Sequence, residues 1–306
     1  MKKVIICDPL AKEAVAVLKG AGLAVDERSG LKEDDLVQCI GDYHGVIVRS
    51  ATKITRRVIE AGAKLEVIAR GGVGLDNIDT ACARERGIPV VNTPRASSMS
   101  VAELAIGMMF AVARAIPAAD ASIKAGKWEK KKFMGSELYG KKLGVIGIGR
   151  IGQEVAVRAL GLGMKVTTYD PISCCAPVLQ APLMDACDLD CLLRESDVIT
   201  LHIPKTKDTA HMLGAKQFEM MKKGVIIINC ARGGVVDEKA LLDALKSGRV
   251  RGAALDVFET EPPAPDNPLL ALENVVVTPH IGASTAEGQF RVGTEIAALV
   301  VEKLNA

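Results

Sequence analysis

The sequence predicts an α/β protein built on two doubly wound parallel sheets. Three observations predict it. Short apolar runs rich in Val and Ile recur through the 306 residues, with helix-compatible segments between them. The runs are continuous rather than alternating, which is the pattern of strands covered on both faces of a parallel sheet. One run leads straight into Gly147-Ile148-Gly149-Arg150-Ile151-Gly152 and a further helical pattern, the opening of a βαβ unit.

Taken in order, the first strand is read at residues 4–7. The chain begins MKKVIICDPL, basic like a secretory leader, but Asp8 and Pro9 end the apolar run after four residues. Strands follow at 46–49, 67–69 and 90–92, with helices at 11–19 and 55–61. The stretch TPRASS at 93–98 marks a break. After it comes a long helix, 100–124, opened by Ser100 and Glu103 as a capping box. A second set of strands is read at 143–146, 166–169, 198–202, 225–229, 253–257 and 275–278, with helices at 151–160 and 239–247. HIGAST at 280–285 marks a second break. The last helix, 285–304, has no strand after it and is expected to return to the first domain. The expected organisation is therefore a discontinuous domain of residues 1–97 and 283–306, with residues 98–282 inserted as a second domain.

Composition narrows the function classes. Hydrophobic residues make up 49% of the chain, and with one Trp, three Tyr and five Phe the core must be aliphatic. Thirty-nine basic residues against 37 acidic leave a net charge of +2, so neither disorder, nucleic acid nor an anionic membrane is called for. The longest apolar stretch, 104–113, is shorter than the roughly 18–20 residues that span a bilayer. The eight cysteines (Cys7, Cys39, Cys82, Cys174, Cys175, Cys187, Cys191 and Cys230) are irregularly spaced. The later cluster lacks paired C-x-x-C spacing and meets no histidine before His202, so no metal site is assigned. Reduced thiols in a cytoplasmic protein are the expectation.

The glycine motif sits in a full βαβ context, with strand 166–169 ending in Asp170. Gly147 permits the tight turn, Gly149 lets backbone amides approach a pyrophosphate at the helix N-terminus, and Gly152 lets helix and sheet pack closely. Asp170 would accept hydrogen bonds from the adenosine ribose. Its carboxylate would repel a ribose phosphate, and Pro171 follows rather than an arginine, so NAD is expected over NADP. A glycine-rich turn without ligand and an S-adenosylmethionine site are the rival readings.

In doubly wound sheets, ligands collect outside the carboxyl ends of the strands. Three such ends deliver Arg232, Glu261 and His280. These types suit hydride transfer between NAD and a 2-hydroxy acid. An Arg fork holds carboxylate and 2-oxygen, an imidazole exchanges the hydroxyl proton, and a carboxylate raises the pKa of that imidazole. His202 also follows a strand and competes with His280 for the acid–base role. Solvated turns are the alternatives for Arg232 and Glu261.

GIGRIG followed by YDP, with NCARGGVVDE, ALDVFETEPP, TPHIGAST, VRSAT and GGVGLDNID, resembles the D-isomer-specific 2-hydroxyacid dehydrogenases over essentially the whole chain. The resemblance implies a Rossmann NAD domain inserted into a discontinuous flavodoxin-like substrate domain. It implies Arg232 as substrate binder, Glu261 as partner of the histidine and His280, rather than His202, as proton donor. By the same resemblance Arg150, Ile151, Asp170, Ile203, Cys230, Ala231, Gly282 and Ala283 line the NAD site, with Asp256 near the nicotinamide carboxamide. Arg49, Ser50 and the amides of Val73 and Gly74 would meet substrate. RASS departs from the family's usual Asn-bearing turn after Pro94, with Ser97 in place of that contact.

Arg49 and the run Lys130-Lys131-Lys132 suit a phosphorylated substrate, and a solvated helix edge is the alternative for the lysines. The family implies an arm at 127–138 that reaches a neighbouring subunit, and so a homodimer. The two domains are expected to close over the cleft by hinging at 93–98 and 280–285. Many relatives continue into C-terminal regulatory domains, so the chain ending at Ala306 is expected to be either a short form or a truncated piece of a longer protein. A reductase of glyoxylate or hydroxypyruvate is the nearest rival. NADH-sensing transcriptional corepressors of this fold are the remote one.

Overall fold

The computed structural model describes residues 1–171 and 184–305. Along the chain run β1 (Lys3–Ile6), α1 (Lys12–Gly20), β2 (Ala24–Glu27), α2 (Glu33–Cys39), β3 (Gly45–Val48), α3 (Arg56–Ala61), β4 (Val67–Arg70), α4 (Thr80–Glu85), β5 (Val90–Asn92), α5 (Ser98–Ala113) and α6 (Ile116–Lys124). Then come β6 (Lys142–Ile146), α7 (Arg150–Gly161), β7 (Lys165–Tyr169), β8 (Met184–Ala186), α8 (Leu189–Glu195), β9 (Val198–Leu201), α9 (Ala215–Met220), β10 (Val225–Asn229), α10 (Glu238–Lys246), β11 (Val250–Leu255), β12 (Val275–Val277) and α11 (Ala286–Asn305). The chain divides into two compact units, one of Met1–Ser98 with Ala283–Ala306 and one of Met99–Gly282.

The first unit holds a five-stranded parallel sheet in the order β2-β1-β3-β4-β5. Its central strands are apolar on both faces, and every residue of β3 is buried. One face is covered by α2, α3 and α4 through Leu36, Val58, Ile59 and Ala83. The other is covered by α1 and α11 through Leu18, Ile296, Val300 and Leu304. The two covering helices approach closely where Gly293 faces Ala14; a Cβ on the glycine would stand 3.2 Å from that of Ala14.

The second unit holds a seven-stranded parallel sheet, β12-β11-β10-β9-β6-β7-β8. The chain builds outward from β6 to β7 and β8, then returns to the other side of β6 with β9. The turns after β6 and β9 thus flank the switch point where doubly wound sheets bind ligands. Two aliphatic clusters cover the two faces of this sheet.

The structure departs from the sequence reading in several places. Strands β2 and β8 were not anticipated; both are sheet edges, and AVDE and MDA carry half-exposed, partly acidic sequences. The helix expected at 100–124 is two helices bent by 63°. Ala115 adopts a left-handed φ of 49°, and Pro117 in the first turn of α6 has no N–H to continue the ladder of α5. Helix α5 begins at Ser98, so Ser100 lies inside it and is no N-cap. Strand β11 starts at Val250, and Asp256 falls just beyond it. Among the described residues no single helix is long and apolar enough to cross a membrane.

Candidate active site

The site is assembled from three turns at the carboxyl ends of β10, β11 and β12, all in the second unit. The turn after β10 is shaped by buried Asn229. Its Oδ1 accepts from the Ala231 N–H (3.1 Å), and its Nδ2 donates to the Arg232 carbonyl (3.1 Å). Arg232 Nη1 donates to the Ala231 carbonyl at 2.7 Å. At Gly233 a Cβ would run into the Phe258 carbonyl, so this turn rests directly on the chain after β11.

Glu261 comes from that second turn. Its Oε1 accepts from the Phe258 N–H (3.1 Å), and its Oε2 lies 2.7 Å from His280 Nδ1. Burial pushes the Glu261 carboxyl up. The hydrogen bond and charge of His280, with the Phe258 amide and Arg232, outweigh burial and hold it below the usual carboxylate range.

His280 sits in the third turn with a left-handed φ of 54°, a strained conformation for a histidine. Asp256, 1% exposed, stabilises the backbone around it. Its Oδ1 accepts from the Thr278 hydroxyl (2.6 Å) and the Ile281 N–H (2.8 Å), and its Oδ2 accepts from the Gly282 N–H (2.8 Å). Both oxygens of Asp256 are thus engaged within the protein. A cavity of about 370 Å³ opens beside the pair, lined by Phe258, Glu261, Pro262, Thr278 and His280 among others.

His202 is differently placed. Its Nε2 pairs with Thr200 Oγ1 (2.9 Å), and burial pushes its pKa down to about 3. It therefore stays neutral against a hydroxyl, whereas His280 faces a carboxylate.

The turn between β6 and α7 fits a dinucleotide. Gly147 has φ 93°, and a Cβ there would stand 2.6 Å from the His202 carbonyl and from Ile203 Cγ2. A Cβ on Gly152 would strike the Gly147 carbonyl. Gly149, the N-cap of α7, has open space where a Cβ would lie, so the first-turn amides, those of Arg150 and Ile151 included, can meet an anion. Asp170 accepts the Ile148 N–H at 2.9 Å, which places its carboxylate at this turn. Ile203, Cys230 and Ala231 are buried at neighbouring strand ends, and burial pushes the Cys230 thiol up.

In the first unit, the loop carrying Arg49 and Ser50 is gripped from both sides. Asp8 accepts the Arg49 N–H (2.5 Å) and the Thr52 N–H and hydroxyl (3.2 and 2.7 Å). Asn77 Nδ2 donates to the carbonyls of Arg49 (2.7 Å) and Thr52 (2.6 Å). Arg49 Nη1 donates to Gln289 Oε1, and burial lowers the pKa of its guanidinium against the opposing pull of Asp8. The loop with Val73 and Gly74 adjoins it: a Cβ on Gly71 would touch Arg49 Cγ, and the Val73 carbonyl accepts from Asn92 Nδ2 at 2.6 Å. Ser97 is buried, and the Ala283 carbonyl accepts from Gln289 Nε2.

Lys130, Lys131 and Lys132 are all exposed, and Lys132 pairs with Glu273 at 3.0 Å. Cys187 and Cys191 are free thiols; Cys174 and Cys175 lie outside the described residues. Sequence reasoning missed Asp8, Asn77, Asn229 and Thr278, which shape the turns. Each is a short polar residue at a strand end or loop, and no pattern separates it from an ordinary turn residue.

The model of the family described as "D-isomer specific 2-hydroxyacid dehydrogenase, NAD binding domain" matches residues 106–282, more than half of the chain. A D-3-phosphoglycerate dehydrogenase of Methanocaldococcus jannaschii is 53% identical over 299 residues, 97% of this chain but 56% of that protein. The chain thus spans little more than half the length of that relative. A hydroxypyruvate reductase of Thermotoga maritima is 51% identical over 304 residues, 99% of this chain and 98% of that one. The crystal structure of a D-lactate dehydrogenase from Aquifex aeolicus, complexed with NAD and lactic acid, superposes with a TM-score of 0.87 at 31% identity, covering 99% of this chain and 96% of that one.

Proposed function

The chain belongs to the D-isomer specific 2-hydroxyacid dehydrogenase family, and we propose that it oxidises D-3-phosphoglycerate to 3-phosphohydroxypyruvate with NAD, the entry step of serine biosynthesis. The observation that carries the reading is the contact between His280 Nδ1 and Glu261 Oε2 at 2.7 Å, beside the turn of Arg232. Ionised Glu261 holds the proton of the neutral imidazole on Nδ1, which leaves Nε2 as an acceptor. Nε2 takes the substrate hydroxyl proton, and Glu261 stabilises the imidazolium that results. Arg232 binds the carboxylate and 2-oxygen through its fork. NAD, held by the Gly147–Gly152 turn and Asp170, supplies the hydride acceptor when bound.

In the same reading Arg49, Ser50 and the amides of Val73 and Gly74 bind the substrate's anionic groups, and the protein acts in the cytoplasm as a homodimer. The phosphorylated substrate is supported by the relatives named D-3-phosphoglycerate dehydrogenase. A second reading, reduction of hydroxypyruvate, is favoured by the relative that matches end to end. The deciding experiment is a substrate panel at alkaline pH with NAD. Turnover of 3-phosphoglycerate well above glycerate and lactate is expected. Preference for glycerate, with rapid reverse reduction of hydroxypyruvate, transfers the assignment to the second reading.

A further inference from the structure

The turns that bear Arg232 and Glu261 are joined by a second set of side chains, away from the His280 contact. Glu238 is the first residue of α10, and its backbone N–H donates to Glu259 Oε1 at 3.0 Å. The Glu259 N–H donates in return to Glu238 Oε1 at 2.6 Å. Each carboxylate serves the amide of the other residue. This is the reciprocity of a capping box, but it spans positions 21 apart in the chain. The Glu238 amide is one of the first-turn donors with no partner inside its own helix, and the Glu259 amide lies outside any strand.

Further side chains meet the pair and the start of α10. His211 Nε2 lies 3.1 Å from Glu259 Oε1, and Asn267 Nδ2 donates to Glu238 Oε2 at 3.1 Å. Asp237 stands 4.0 Å from His211 Nδ1 and caps α10 by accepting the Ala240 N–H. Lys205 Nζ packs on the neighbouring Gly234. His211 is itself tied to the Arg232 turn, since its N–H donates to the Gly234 carbonyl at 2.8 Å. Gly233 rests on the Phe258 carbonyl, and the Phe258 amide in turn holds Glu261. Every link in this chain lies within one compact unit.

We infer that Glu238 and Glu259 are positioning residues: their reciprocal pair fastens the Arg232 turn to the Glu261 turn and thereby sets Glu261 against His280. Neither residue lines the cavity beside His280. The inference deepens the acid–base assignment and rests on it for its kinetic consequence.

The test compares Glu259→Ala, Glu238→Ala, Glu259→Asp and Glu259→Gln in the full chain. Gln keeps an acceptor oxygen in reach of the Glu238 amide; Asp keeps the charge but withdraws the oxygen by one methylene. The first readout is ¹⁵N NMR of the His280 ring at alkaline pH without substrate, which shows the nitrogen that carries the proton. The Nδ1-protonated form is expected in the parent protein and in Glu259→Gln, and a mixture in the Ala and Asp variants. The second readout is kinetics with NAD and 3-phosphoglycerate. A kcat lower by about 10- to 100-fold is expected for the Ala and Asp variants. The KM for NAD should be unchanged, and Glu259→Gln should recover the rate.

An unchanged tautomer and kcat with a lower Tm alone would make the pair a structural staple and overturn the inference. Should the Ala variants fail to fold, Glu259→Asp against Glu259→Gln decides in the same way. A shifted tautomer in a protein that turns over no hydroxy acid would leave the positioning role standing and remove the proposed function instead.

Discussion

His280 Nδ1 and Glu261 Oε2 lie 2.7 Å apart although the two residues leave different strands, β12 and β11. Each is held by a neighbour of its own, Glu261 by the Phe258 amide and the His280 turn by Asp256. The pair proposed for acid–base work is therefore set by backbone anchoring before any substrate arrives. This is the preorganisation that lets a proton move without rearrangement.

Removing the imidazole should be costly. His280→Ala is expected to lower kcat with 3-phosphoglycerate by about 10²-fold or more, the low end of general acid–base contributions. The KM for NAD should be unchanged, because the imidazole is assigned to the substrate hydroxyl. Steady-state kinetics checks both. Retention of more than a tenth of the rate would move the proton acceptor elsewhere.

Glu261→Gln should lower the rate. In the proposed mechanism the carboxylate orients the His280 ring and stabilises the imidazolium formed as the hydroxyl proton moves, and a neutral amide does this poorly. A fall in kcat with 3-phosphoglycerate of about 10²-fold is expected. Burial pushes the Glu261 carboxyl up, but His280, the Phe258 amide and Arg232 hold it below the ordinary range. Its stabilising effect is complete above the usual carboxylate pKa and disappears as the pH drops through the depressed value. Steady-state kinetics checks the rate, and urea denaturation across a pH series checks the stability; a Glu261→Gln enzyme with the parent kcat would refute the pairing.

Much of this arrangement was legible in the sequence because parallel strands buried on both faces must read as unbroken Val and Ile. β3, β6, β9 and β10 announce themselves in this way. Edge strands escape the rule: β2 and β8 are half solvated, and their acidic residues resemble loops. Helix periodicity runs straight through Arg114 and Ala115, and only the backbone shows that Pro117 starts a new helix at an angle. Residue types after strand ends pointed to Arg232, Glu261 and His280. They could not rank His202 against His280, since burial against Thr200 and pairing with a carboxylate are tertiary facts. Asp256 was legible only as a residue near the cofactor. Its three donors come from 22 to 26 positions along the chain.

Asp256 makes a separate prediction about stability. Its two oxygens serve the Thr278 hydroxyl and the Ile281 and Gly282 amides at a buried position. Asp256→Asn replaces one acceptor by an NH₂ that faces a donor. A loss of about 1–3 kcal/mol is expected, the cost of one buried donor left unsatisfied, with kcat lowered as the His280 turn loosens. Urea denaturation followed by circular dichroism measures it. Unchanged stability would mean that water replaces the lost acceptor.

Asp170 should decide between dinucleotides. It accepts the Ile148 N–H at the β6–α7 turn, where its charge would repel a phosphate on the adenosine ribose of a bound dinucleotide. NAD is expected to be preferred in kcat/KM. Asp170→Ala should narrow that preference by about 10- to 100-fold, the worth of a charge-assisted hydrogen bond. An enzyme that prefers NADP as it stands would remove this role from Asp170.

Under the proposed function, Arg49 should separate a phosphorylated substrate from a plain one. Asp8 and Asn77 fix its backbone on both sides, so the loop is rigid and only the guanidinium is free to change partner from Gln289. A phosphate dianion bound there would give that guanidinium two charge-assisted bonds that glycerate's hydroxyl would not. Arg49→Ala is therefore expected to raise the KM for 3-phosphoglycerate by about 10- to 100-fold, from roughly 1.5–3 kcal/mol per charged contact. The KM for glycerate should change by far less. Measuring both acids against the same variant isolates the phosphate, because any general damage to the loop lowers the two together. Equal losses would place Arg49 on the shared carboxylate and strengthen the hydroxypyruvate reading.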